Sequence, residues 1–483
     1  MKLKELLTGV DYELIDGTLE QSVDEIIYDS RIKTNEGLFL AIKGYTIDGH
    51  NFIPSAIANG AKTVVVQDET KKAEGLTIIK VKSTRKVMAQ LANNFYNNPS
   101  AKLNLVGVTG TNGKTSTTYI LAQILEAYNH KVGVIGTIEN RIGKTILQTE
   151  RTTPEAVDLQ ALFNRMLEEG VDTTMMEVSS HALDLNRVDT CDFNIGIFTN
   201  LTQDHLDFHG TMQEYAKAKA KLFAMCDISI INVDSDFNET MLAASKNPAI
   251  TYGIDNEADF RAYDIEIHAT RTRYKFKCSE GEYEVLVPIP GKFTVYNTSC
   301  SIIAAYKLGV PLEDSIKEVS VVKGVPGRVQ SFNSVKGYSV IVDYAHTPDG
   351  LENVLSAIKQ FAKGDIVTVF GCGGDRDATK RPLMGEVVSK YSTRVIITSD
   401  NPRSEEPASI LDQIEVGSKQ HDTPYTKEVD RRKAIEAALA NAKENDVILI
   451  AGKGHETYQH LKDGIIHFDD SEIVQEYLAK ESN

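Results

Sequence analysis

The spacing of apolar residues along the chain predicts short strands that alternate with helices. A strand buried on both faces is a short apolar run, whereas an amphipathic helix repeats its apolar residues every three or four positions. In the first hundred residues this pattern predicts a small α/β domain. Its expected strands lie at 38–41, 63–67 and 77–81, and its expected helices lie at 54–59 and 86–95.

The same rhythm continues after a turn-rich stretch at 97–100, which we interpret as a domain boundary. A strand is expected at 103–108 and a helix at 116–128, and further strands are expected at 173–178 and 194–198. Strands and helices that alternate in this way are typical of a doubly wound parallel sheet. The central region is therefore predicted to be a doubly wound domain.

The last region repeats the α/β pattern. Strands are expected at 338–342, 366–370, 395–398 and 447–450, and a helix is expected at 351–361. The predicted fold class is thus α/β, with three domains. They are a small N-terminal α/β domain (1–99), a central doubly wound domain (100–331) and a C-terminal Rossmann-like domain (332–483).

A glycine-rich turn joins the expected strand at 103–108 to the expected helix at 116–128. Glycines let backbone N–H groups surround phosphate oxygens, and a helix N-terminus adds partial positive charge there. Lys114 is placed to reach the outer phosphates, and Thr115 is placed to ligate magnesium. The strict P-loop pattern has a glycine where this chain has Val108. We interpret the turn as a P-loop-type phosphate cradle; an ordinary glycine-rich turn is the alternative.

Two polar residues follow expected strands of the central region. Glu177 lies at the end of the strand at 173–178, and His205 lies shortly after the strand at 194–198. Because ligands collect at the carboxyl ends of strands in such sheets, both are candidates to join Thr115 around a metal-bound nucleotide. A purely structural hydrogen-bond acceptor is the alternative for Glu177.

Lys219 lies on the apolar face of an expected helix. Tyr215 and Phe223 stand four residues on either side of it, and Leu222 stands three residues beyond it. Burial of an unpaired ammonium is costly, so such a lysine either extends its ammonium to water or has a dedicated role. Spacing alone favours the first interpretation.

Three charged loops of the last region each follow an expected strand. They lie at 371–381, 400–403 and 452–456. Because the carboxyl ends of parallel strands share one edge of a sheet, these loops are expected to converge there as a binding edge. Loops that are charged only because they are solvated are the alternative.

The composition is that of a globular protein. The chain has 483 residues, of which 41% are hydrophobic and 25% are charged. The net charge of -16 argues against a nucleic-acid-binding surface, which needs a basic face. We therefore expect no nucleic-acid partner.

The cysteines and the N-terminus bear on the compartment. The five cysteines are widely spaced and include no Cys-x-x-Cys pair, which argues against a disulfide framework or a zinc site. The first residues lack the apolar core of a signal peptide, and no apolar run approaches the length of a membrane span. We expect a cytoplasmic protein with no membrane partner.

Five motifs are similar to those of the Mur ligases of peptidoglycan synthesis, and together they cover all three regions. They are Gly110-Thr-Asn-Gly-Lys-Thr115, Glu177-Val-Ser-Ser-His181, Asn200-Leu-Thr-Gln-Asp-His205-Leu-Asp, Asp343-Tyr-Ala-His346-Thr-Pro and Asp400-Asn-Pro-Arg403. The resemblance implies an amide ligase that uses ATP and Mg²⁺ and forms an acyl phosphate. It implies the addition of meso-2,6-diaminopimelate to the D-glutamate of UDP-N-acetylmuramoyl-L-alanyl-D-glutamate. We expect a monomer.

The resemblance also implies roles for individual residues. The UDP-muramoyl-dipeptide would be held by Ser30, Thr152, Thr153, Ser179 and Arg187. ATP would be held by Gly110, Thr111, Asn112, Gly113, Lys114, Thr115, Ser116, Asn297, Arg328 and Asp343. Lys114, Glu177, His205 and Lys219 would be catalytic, and magnesium would be bound by Thr115, Glu177, His205 and Lys219, the last as a carbamate. Diaminopimelate would be held by Arg376, Asp400, Asn401, Pro402, Arg403, Gly452 and Glu456.

The choice of amino acid follows from the chemistry of one arginine. Diaminopimelate differs from lysine by a carboxylate beside its distal amine, and a guanidinium can bind that carboxylate with two hydrogen bonds. Arg403 therefore favours diaminopimelate, and Glu456 can pair with the distal ammonium. A lysine-adding ligase of the same kind is the alternative.

Two further alternatives differ in kind. A folylpolyglutamate synthetase-like ligase shares the cradle and the acyl-phosphate chemistry, but the turn at 29–31 and the loop at 400–403 disfavour it. An ATP-binding regulatory protein would form no amide. Its expected loss of catalytic residues is not seen, because Lys114, Glu177 and Lys219 are all retained.

Overall fold

The computed structural model describes residues 1–44, 47–68, 75–147, 149, 151–268, 271–322, 324–325 and 327–481. Strands and helices alternate along these residues, which confirms the predicted α/β class. None of the described helices combines the length and the apolar character that crossing a bilayer requires.

The N-terminal region is built on a five-stranded sheet. Its elements are α1 (Leu3–Leu6), β1 (Tyr12–Asp16), β2 (Ile26–Ile27), β3 (Gly37–Leu40), α2 (Ile53–Ala58), β4 (Ala61–Val66), β5 (Thr77–Val81) and α3 (Thr84–Phe95), with 3-10 helices at Gly49–Phe52 and Ser100–Lys102. The strand order is β1-β5-β4-β3-β2, in which β1 is antiparallel to β5 and the other pairs are parallel. The three strands predicted here are confirmed. β1 was not predicted because it is half-polar, and β2 was not predicted because it has only two residues.

Among the described residues, the central region has more helices and strands than either of the other two regions. Its elements are β6 (Asn104–Thr109), α4 (Lys114–Ala127), β7 (Val132–Ile135), β8 (Asn140–Ile142), β9 (Thr145–Leu147), α5 (Ala156–Glu168), β10 (Thr173–Glu177), α6 (Ser180–Asp184), β11 (Phe193–Phe198), α7 (Leu206–His209), α8 (Met212–Met225), β12 (Cys226–Asn232), α9 (Asn238–Ala244), β13 (Ile250–Gly253), β14 (Phe260–His268), β15 (Arg271–Cys278), β16 (Gly281–Val287), α10 (Lys292–Lys307) and α11 (Leu312–Val319). The helix predicted from residue 116 begins at Lys114.

The C-terminal region has a six-stranded sheet with helices on both faces. Its elements are β17 (Gln330–Asn333), β18 (Ser339–Asp343), α12 (Pro348–Phe361), β19 (Ile366–Phe370), α13 (Lys380–Tyr391), β20 (Arg394–Thr398), α14 (Pro407–Ser418), β21 (Tyr425–Glu428), α15 (Arg431–Ala440), β22 (Val447–Ala451), β23 (Tyr458–Leu461), β24 (Gly464–His467) and α16 (Asp470–Glu481). The sheet order is β17-β18-β22-β19-β20-β21, and every pair is parallel except β17 with β18.

The apolar runs of this last sheet follow from its two buried faces. Adjacent residues of β22 enter different cores: Leu449 packs in the core that contains Leu355, and Ile448 packs in the core that contains Ile435. A strand covered by helices on both faces has no solvent side on which polar residues would alternate. The carboxyl ends of β18, β19, β20 and β22 consequently lie along one edge, where the charged loops begin.

The chain divides into two compact units. The first contains Met1–Gly107, Asn129–Gly196 and Lys221–Ile228, and the second contains Val108–Tyr128, Ile197–Ala220 and Ser229–Asn483. In the first unit β7 and β10 are parallel, and β8 and β9 continue antiparallel from β7. In the second unit β12, β13 and β14 are parallel, and β15 and β16 continue antiparallel. The connection from β7 to β10 contains α5 and that from β12 to β13 contains α9, which fits the predicted doubly wound architecture.

Candidate active site

The glycine-rich turn lies between β6 and α4, as the sequence predicts, and Lys114 opens the first turn of α4. Gly113, directly before it, has a φ of 88°. A Cβ built on Gly113 would lie 2.5 Å from Asn297 Oδ1, and a Cβ built on Gly110 would lie 1.9 Å from Thr199 Oγ1. Neither glycine therefore has room for a side chain.

Residues that follow β11 hold this cradle in shape. The Asn200 carbonyl oxygen accepts a hydrogen bond from the Thr111 N–H at 2.9 Å, and Asn200 Oδ1 accepts one from the Asn112 N–H at 2.9 Å. The Thr199 hydroxyl donates to the Asn112 carbonyl oxygen at 2.6 Å. Lys114 Nζ donates to the Thr111 carbonyl oxygen at 2.8 Å, so the lysine lies across the cradle.

A cavity of about 370 Å³ opens beside the cradle. Its volume lies within the range of small-molecule sites. Of the residues predicted to hold ATP, it is lined by Asn112, Gly113, Ser116, Asn297, Arg328 and Asp343. Asn232, Tyr296 and Asp349 also line it, although sequence reasoning did not select them.

Arg328 and Asp343 reach this cavity from the connection to the C-terminal sheet and from the end of β18. Arg328 Nη2 donates to the Thr115 hydroxyl oxygen at 3.2 Å, and its guanidinium carbon lies 4.5 Å from the centroid of the Tyr344 ring. The Asp343 carboxylate accepts hydrogen bonds from the backbone N–H groups of Val329 and Ala345, each at 2.7 Å. Burial raises the pKa of Asp343 even though the Arg328 charge acts against it.

Lys219 is 1% exposed and lies directly under the cradle. Its Nζ donates to the Gly110 carbonyl oxygen at 2.9 Å and lies 4.6 Å from the centroid of the Tyr215 ring. Burial, and after it the charge of Lys114, lowers the pKa of Lys219 well below its usual range. The Lys219 side chain does not reach water. The interpretation favoured by spacing alone, that this lysine extends its ammonium to water, is therefore wrong.

His205 stands beside a buried carboxylate. It precedes α7 with a φ of 55°, and its side chain is 38% exposed. The neighbouring Asp204 is buried and accepts a hydrogen bond from Lys380 Nζ at 3.2 Å, while His346 Nε2 lies 3.9 Å from the same carboxylate. Burial raises the pKa of Asp204, but the charges of His205, Lys380 and His346 outweigh it, so the pKa lies below its usual range.

A second polar contact joins the cradle to the C-terminal sheet's first helix. Asn112 Nδ2 donates to Asp349 Oδ2 at 2.7 Å. Asp349 lies in the first turn of α12, whose N-cap is Thr347. Cradle, cavity and C-terminal domain are thus linked within the second unit by hydrogen bonds between side chains.

Glu177 belongs to the first unit, where it is 1% exposed at the end of β10. Its Oε1 accepts from the Thr137 N–H at 2.9 Å, and its Oε2 accepts from the Thr137 hydroxyl at 3.1 Å. The Thr137 hydroxyl also lies 3.0 Å from the Thr152 hydroxyl. Both carboxylate oxygens of Glu177 therefore accept structural hydrogen bonds.

The predicted muramoyl-dipeptide residues of this unit form a hydrogen-bonded cluster around Thr153. Its hydroxyl donates to the Glu177 carbonyl oxygen at 2.8 Å and lies 3.3 Å from the Ser179 hydroxyl. Arg187 Nη1 donates to the Thr153 carbonyl oxygen at 2.9 Å, and its Nη2 pairs with buried Glu155 at 2.8 Å. Burial lowers the pKa of Arg187 despite this pairing.

Ser30 is buried apart from that cluster. It follows β2, and its carbonyl oxygen accepts from Asn59 Nδ2 at 2.8 Å. Among the described residues, no hydrogen bond connects Ser30 to Thr153, Ser179 or Arg187.

Asn401, Lys453 and Glu456 form a buried cluster at the carboxyl edge of the C-terminal sheet. Asn401 Nδ2 and Lys453 Nζ each donate to Glu456 Oε2 at 2.8 Å, and Lys453 Nζ reaches Asn401 Oδ1 at 3.2 Å. Burial and the charge of Asp400 raise the pKa of Glu456. A Cβ on Gly452 would lie 2.6 Å from Asp400 Oδ2. The loops at 400–403 and 452–456 therefore touch, as predicted.

The third charged loop, at 371–381, contacts the loop at 400–403 through the backbone of Gly374. The Gly374 N–H donates to the Asn401 carbonyl oxygen at 2.9 Å, and its carbonyl oxygen accepts from Arg403 Nη1 at 2.7 Å. A Cβ on Gly374 would lie 1.9 Å from the Pro402 carbonyl oxygen. Arg376 Nη1 donates to the carbonyl oxygen of the preceding residue at 3.0 Å. The three loops converge on one edge, which confirms the predicted convergence; their role in binding stays a prediction.

Sequence reasoning did not assign Lys453, Lys380, Asp204 or Asp349. Each lies inside or directly next to a motif or charged loop named above. The sequence therefore shows a charged residue at each position but does not show its role. Its partner could not be recognised, because Lys380 pairs with a residue 176 positions away and Asp349 pairs with one 237 positions away.

Three family models match consecutive stretches of the chain. They are the Mur ligase family catalytic domain at residues 22–96, the Mur ligase middle domain at 108–305 and the Mur ligase glutamate ligase domain at 327–454. These stretches follow the order of the three domains expected from the sequence.

Similar proteins were found over the full length. A protein of Caldanaerobacter subterraneus subsp. tengcongensis, named UDP-N-acetylmuramoyl-L-alanyl-D-glutamate--2,6-diaminopimelate ligase, is 48% identical over 99% of this chain and 99% of its own. A protein of Clostridioides difficile with the same name is 49% identical over 99% and 100%. A solved structure with that name has a TM-score of 0.71 and 30% identity, and it covers 100% of this chain and 99% of its own. The chain belongs to the Mur ligase family.

Proposed function

We propose that this protein is an ATP-dependent, ADP-forming ligase that adds meso-2,6-diaminopimelate to the D-glutamate of UDP-N-acetylmuramoyl-L-alanyl-D-glutamate. This reaction belongs to cytoplasmic peptidoglycan precursor synthesis. The observation that carries the proposal is that one unit holds both a phosphate cradle with an adjoining cavity and a convergent cluster around Asn401, Arg403 and Glu456. The names of the full-length relatives support the same substrates.

ATP is proposed to occupy the cavity beside the cradle. Its phosphates would lie against residues 110–116, whose turn brings Gly113 close to Asn297, with no room for a side chain between them. Asn297 would face the adenosine end, and Arg328 and Asp343 would close the cavity. Lys114 is close enough to exchange its present carbonyl partners for phosphate oxygens, which bear more negative charge.

The chemistry explains why a nucleotide is needed. A carboxylate is a poor acyl donor, because its leaving group would be oxide. Transfer of the γ-phosphoryl group to a carboxylate oxygen breaks the bond to ADP and forms an acyl phosphate. The amine then attacks the carbonyl carbon, phosphate leaves with the bonding electrons, and the amine loses a proton. Lys114 and Arg328 stabilise charge on the phosphoryl oxygens, and no protein nucleophile is required.

Magnesium is proposed to be held by Thr115, His205 and Lys219 as its carbamate, and the family resemblance implies Glu177 as a further ligand. Thr115, a carbamate on Lys219 and Glu177 would supply oxygen, the donor that this ion prefers, whereas His205 would supply an imidazole nitrogen. When bound, the ion would neutralise phosphate charge.

A carbamate on Lys219 fits the surroundings of this side chain. A neutral amine adds to carbon dioxide, giving a carbamate and releasing one proton. Burial and Lys114 lower the pKa of Lys219 and so favour the neutral amine that this step needs. The carbamate replaces a buried cation by an anion, which Lys114 can then stabilise.

The first unit is proposed to bind the UDP-muramoyl-dipeptide through the Thr153 cluster, which contains Thr152, Ser179 and Arg187, and through Ser30. Arg187 supports this role, because its Nε is buried without a hydrogen-bond partner among the described residues. An anionic group of the substrate would give the Arg187 Nε–H the hydrogen-bond acceptor that it lacks.

Diaminopimelate is proposed to bind where the three loops converge, through Arg376, Asp400, Asn401, Pro402, Arg403, Gly452 and Glu456. Arg403 would hold the carboxylate beside the distal amine, because a guanidinium has five donors and Gly374 takes one of them. Lys453 holds Glu456 in place as an acceptor for the distal ammonium. We further propose the domain bounds 1–99, 100–331 and 332–483 and a monomeric protein that binds neither nucleic acid nor membrane.

Phosphate release from ATP tests the proposed reaction. The purified protein is offered the UDP-muramoyl-dipeptide together with diaminopimelate or lysine. We expect release that requires the dipeptide and is faster with diaminopimelate. Release that ignores both substrates would contradict the ligase assignment, and equal rates with the two amino acids would contradict the specificity.

Gly113→Ala tests the cradle. The added Cβ would meet Asn297 Oδ1, so affinity for a non-hydrolysable ATP analogue should fall at least about tenfold in titration calorimetry. Gly309→Ala is the matched control, because Gly309 also has a positive φ, of 97°, but nothing lies within 4 Å of its Cβ position. Equal affinities of the two variants would contradict the assigned nucleotide site.

Arg403→Ala tests the amino-acid site. Loss of a charge-assisted contact to the distal carboxylate should raise KM for diaminopimelate about ten- to hundredfold and leave KM for ATP unchanged. Arg432→Ala removes an arginine from the same domain whose side chain is 46% exposed, and it should leave both constants unchanged. A parallel rise of both constants in Arg403→Ala would argue against a specific role.

A further inference from the structure

A fully buried ion pair lies behind the diaminopimelate loops. Arg431 is the first residue of α15 and Asp470 is the first residue of α16, and both side chains are 0% exposed. Arg431 Nε donates to Asp470 Oδ1 at 2.8 Å, and Nη2 donates to Oδ2 at 2.7 Å. This two-point pairing fixes the plane of the guanidinium.

Two further N–H groups of that guanidinium donate to backbone carbonyl oxygens at the points where two of the loops begin. Arg431 Nη1 donates to the Ser399 carbonyl oxygen at 3.2 Å, and Nη2 donates to the Ala451 carbonyl oxygen at 3.0 Å. Ser399 directly precedes Asp400, and Ala451 directly precedes Gly452. Arg431 therefore connects the two residues that directly precede the loops at 400–403 and 452–456.

The sheet itself cannot make this connection. The strands that lead into the two loops are β20 and β22, and β19 lies between them in the sheet order. β20 and β22 each pair with β19 and not with each other, so any direct contact between the residues that follow them must come from outside the ladder. Arg431 bridges that gap with one rigid planar group.

Electrostatics act in the same direction. Burial lowers the pKa of Arg431, but the charges of Asp470, Asp400 and Glu456 outweigh it, so the net shift is upward. The arginine charge thus attracts both loop carboxylates as well as its own partner.

Stability alone does not account for such a pair. A buried ion pair contributes little net stability, and apolar residues of similar volume often replace it without loss. Apolar residues cannot, however, donate to two carbonyl oxygens. A displacement of about 1 Å in a site can cost about a hundredfold in rate, so spacing between binding loops matters.

We infer that Arg431, held in place by Asp470, is a positioning residue that sets the separation of the two diaminopimelate loops. The inference rests on the proposed function, because those loops are the proposed amino-acid site. Arg431 does not touch the substrate. It acts through the backbone at Ser399 and Ala451.

Two variants separate positioning from folding. Arg431→Lys keeps the charge but cannot pair with both Asp470 oxygens and bridge both carbonyl oxygens at once. The double variant Arg431→Met with Asp470→Leu removes both charges and leaves neither unpaired. Arg432→Lys is the control, because this neighbouring side chain is 46% exposed.

The first readout is kinetic. We expect KM for diaminopimelate to rise about tenfold or more in both variants, while KM for ATP stays within about twofold of the unmutated value. The rate preference for diaminopimelate over lysine should fall in parallel. Unchanged KM for diaminopimelate in a folded variant, or an equal loss for both substrates, would overturn the inference. If the double variant does not fold, Arg431→Lys decides.

The second readout does not depend on activity. Amide hydrogen exchange should accelerate in the segments 400–403 and 452–456 of both variants and stay unchanged in the cradle at 110–116. Unchanged exchange in the loops would overturn the positioning role. If the unmutated protein shows no diaminopimelate-dependent phosphate release, the proposed function fails instead, and the exchange result still decides whether Arg431 holds the loops.

Discussion

The nucleotide site depends on one steric constraint, the absence of side chains at Gly110 and Gly113. The backbone between β6 and α4 must turn with a positive φ at Gly113 and pass within contact distance of Thr199 and Asn297. Every other part of the site is arranged around that turn. Asn200 accepts hydrogen bonds from the amides of the turn, and a cavity of about 370 Å³ opens beside it.

The proposed function assigns activation and selection to different edges of the second unit. The cradle presents backbone amides, the Lys114 ammonium and the Thr115 hydroxyl, which suit phosphate. The C-terminal sheet presents a guanidinium and a carboxylate, which suit an amino acid with charged ends. The hydrogen bond from Asn112 to Asp349 joins the cradle to the first turn of α12 in the C-terminal domain. A ligase needs this arrangement, because the acyl phosphate must meet the amine before water does.

Features that depend on neighbouring residues in the sequence could be predicted. Contacts between residues that are distant in the sequence could not. Apolar periodicity predicted the buried strands β5, β19 and β22 to within one residue, and glycine chemistry predicted the cradle. Polar strands such as β1 and the hairpin of β23 and β24 carry no such signal. For Lys219 the spacing left two interpretations open, because burial depends on packing around Tyr215 and on the Gly110 carbonyl. The role of Arg431 was invisible for the same reason: its partners are brought together only by the order of strands in the sheet.

In the proposed ligation, ATP activates a substrate carboxylate as an acyl phosphate. An isotope measurement tests it most directly, using UDP-muramoyl-dipeptide whose D-glutamate side-chain carboxylate carries ¹⁸O. Mass spectrometry of the products then shows where the label goes. The account predicts one ¹⁸O atom in each released phosphate, because the bridging oxygen of the acyl phosphate comes from the carboxylate and leaves with phosphorus. Phosphate without label, or label found in AMP, would contradict it.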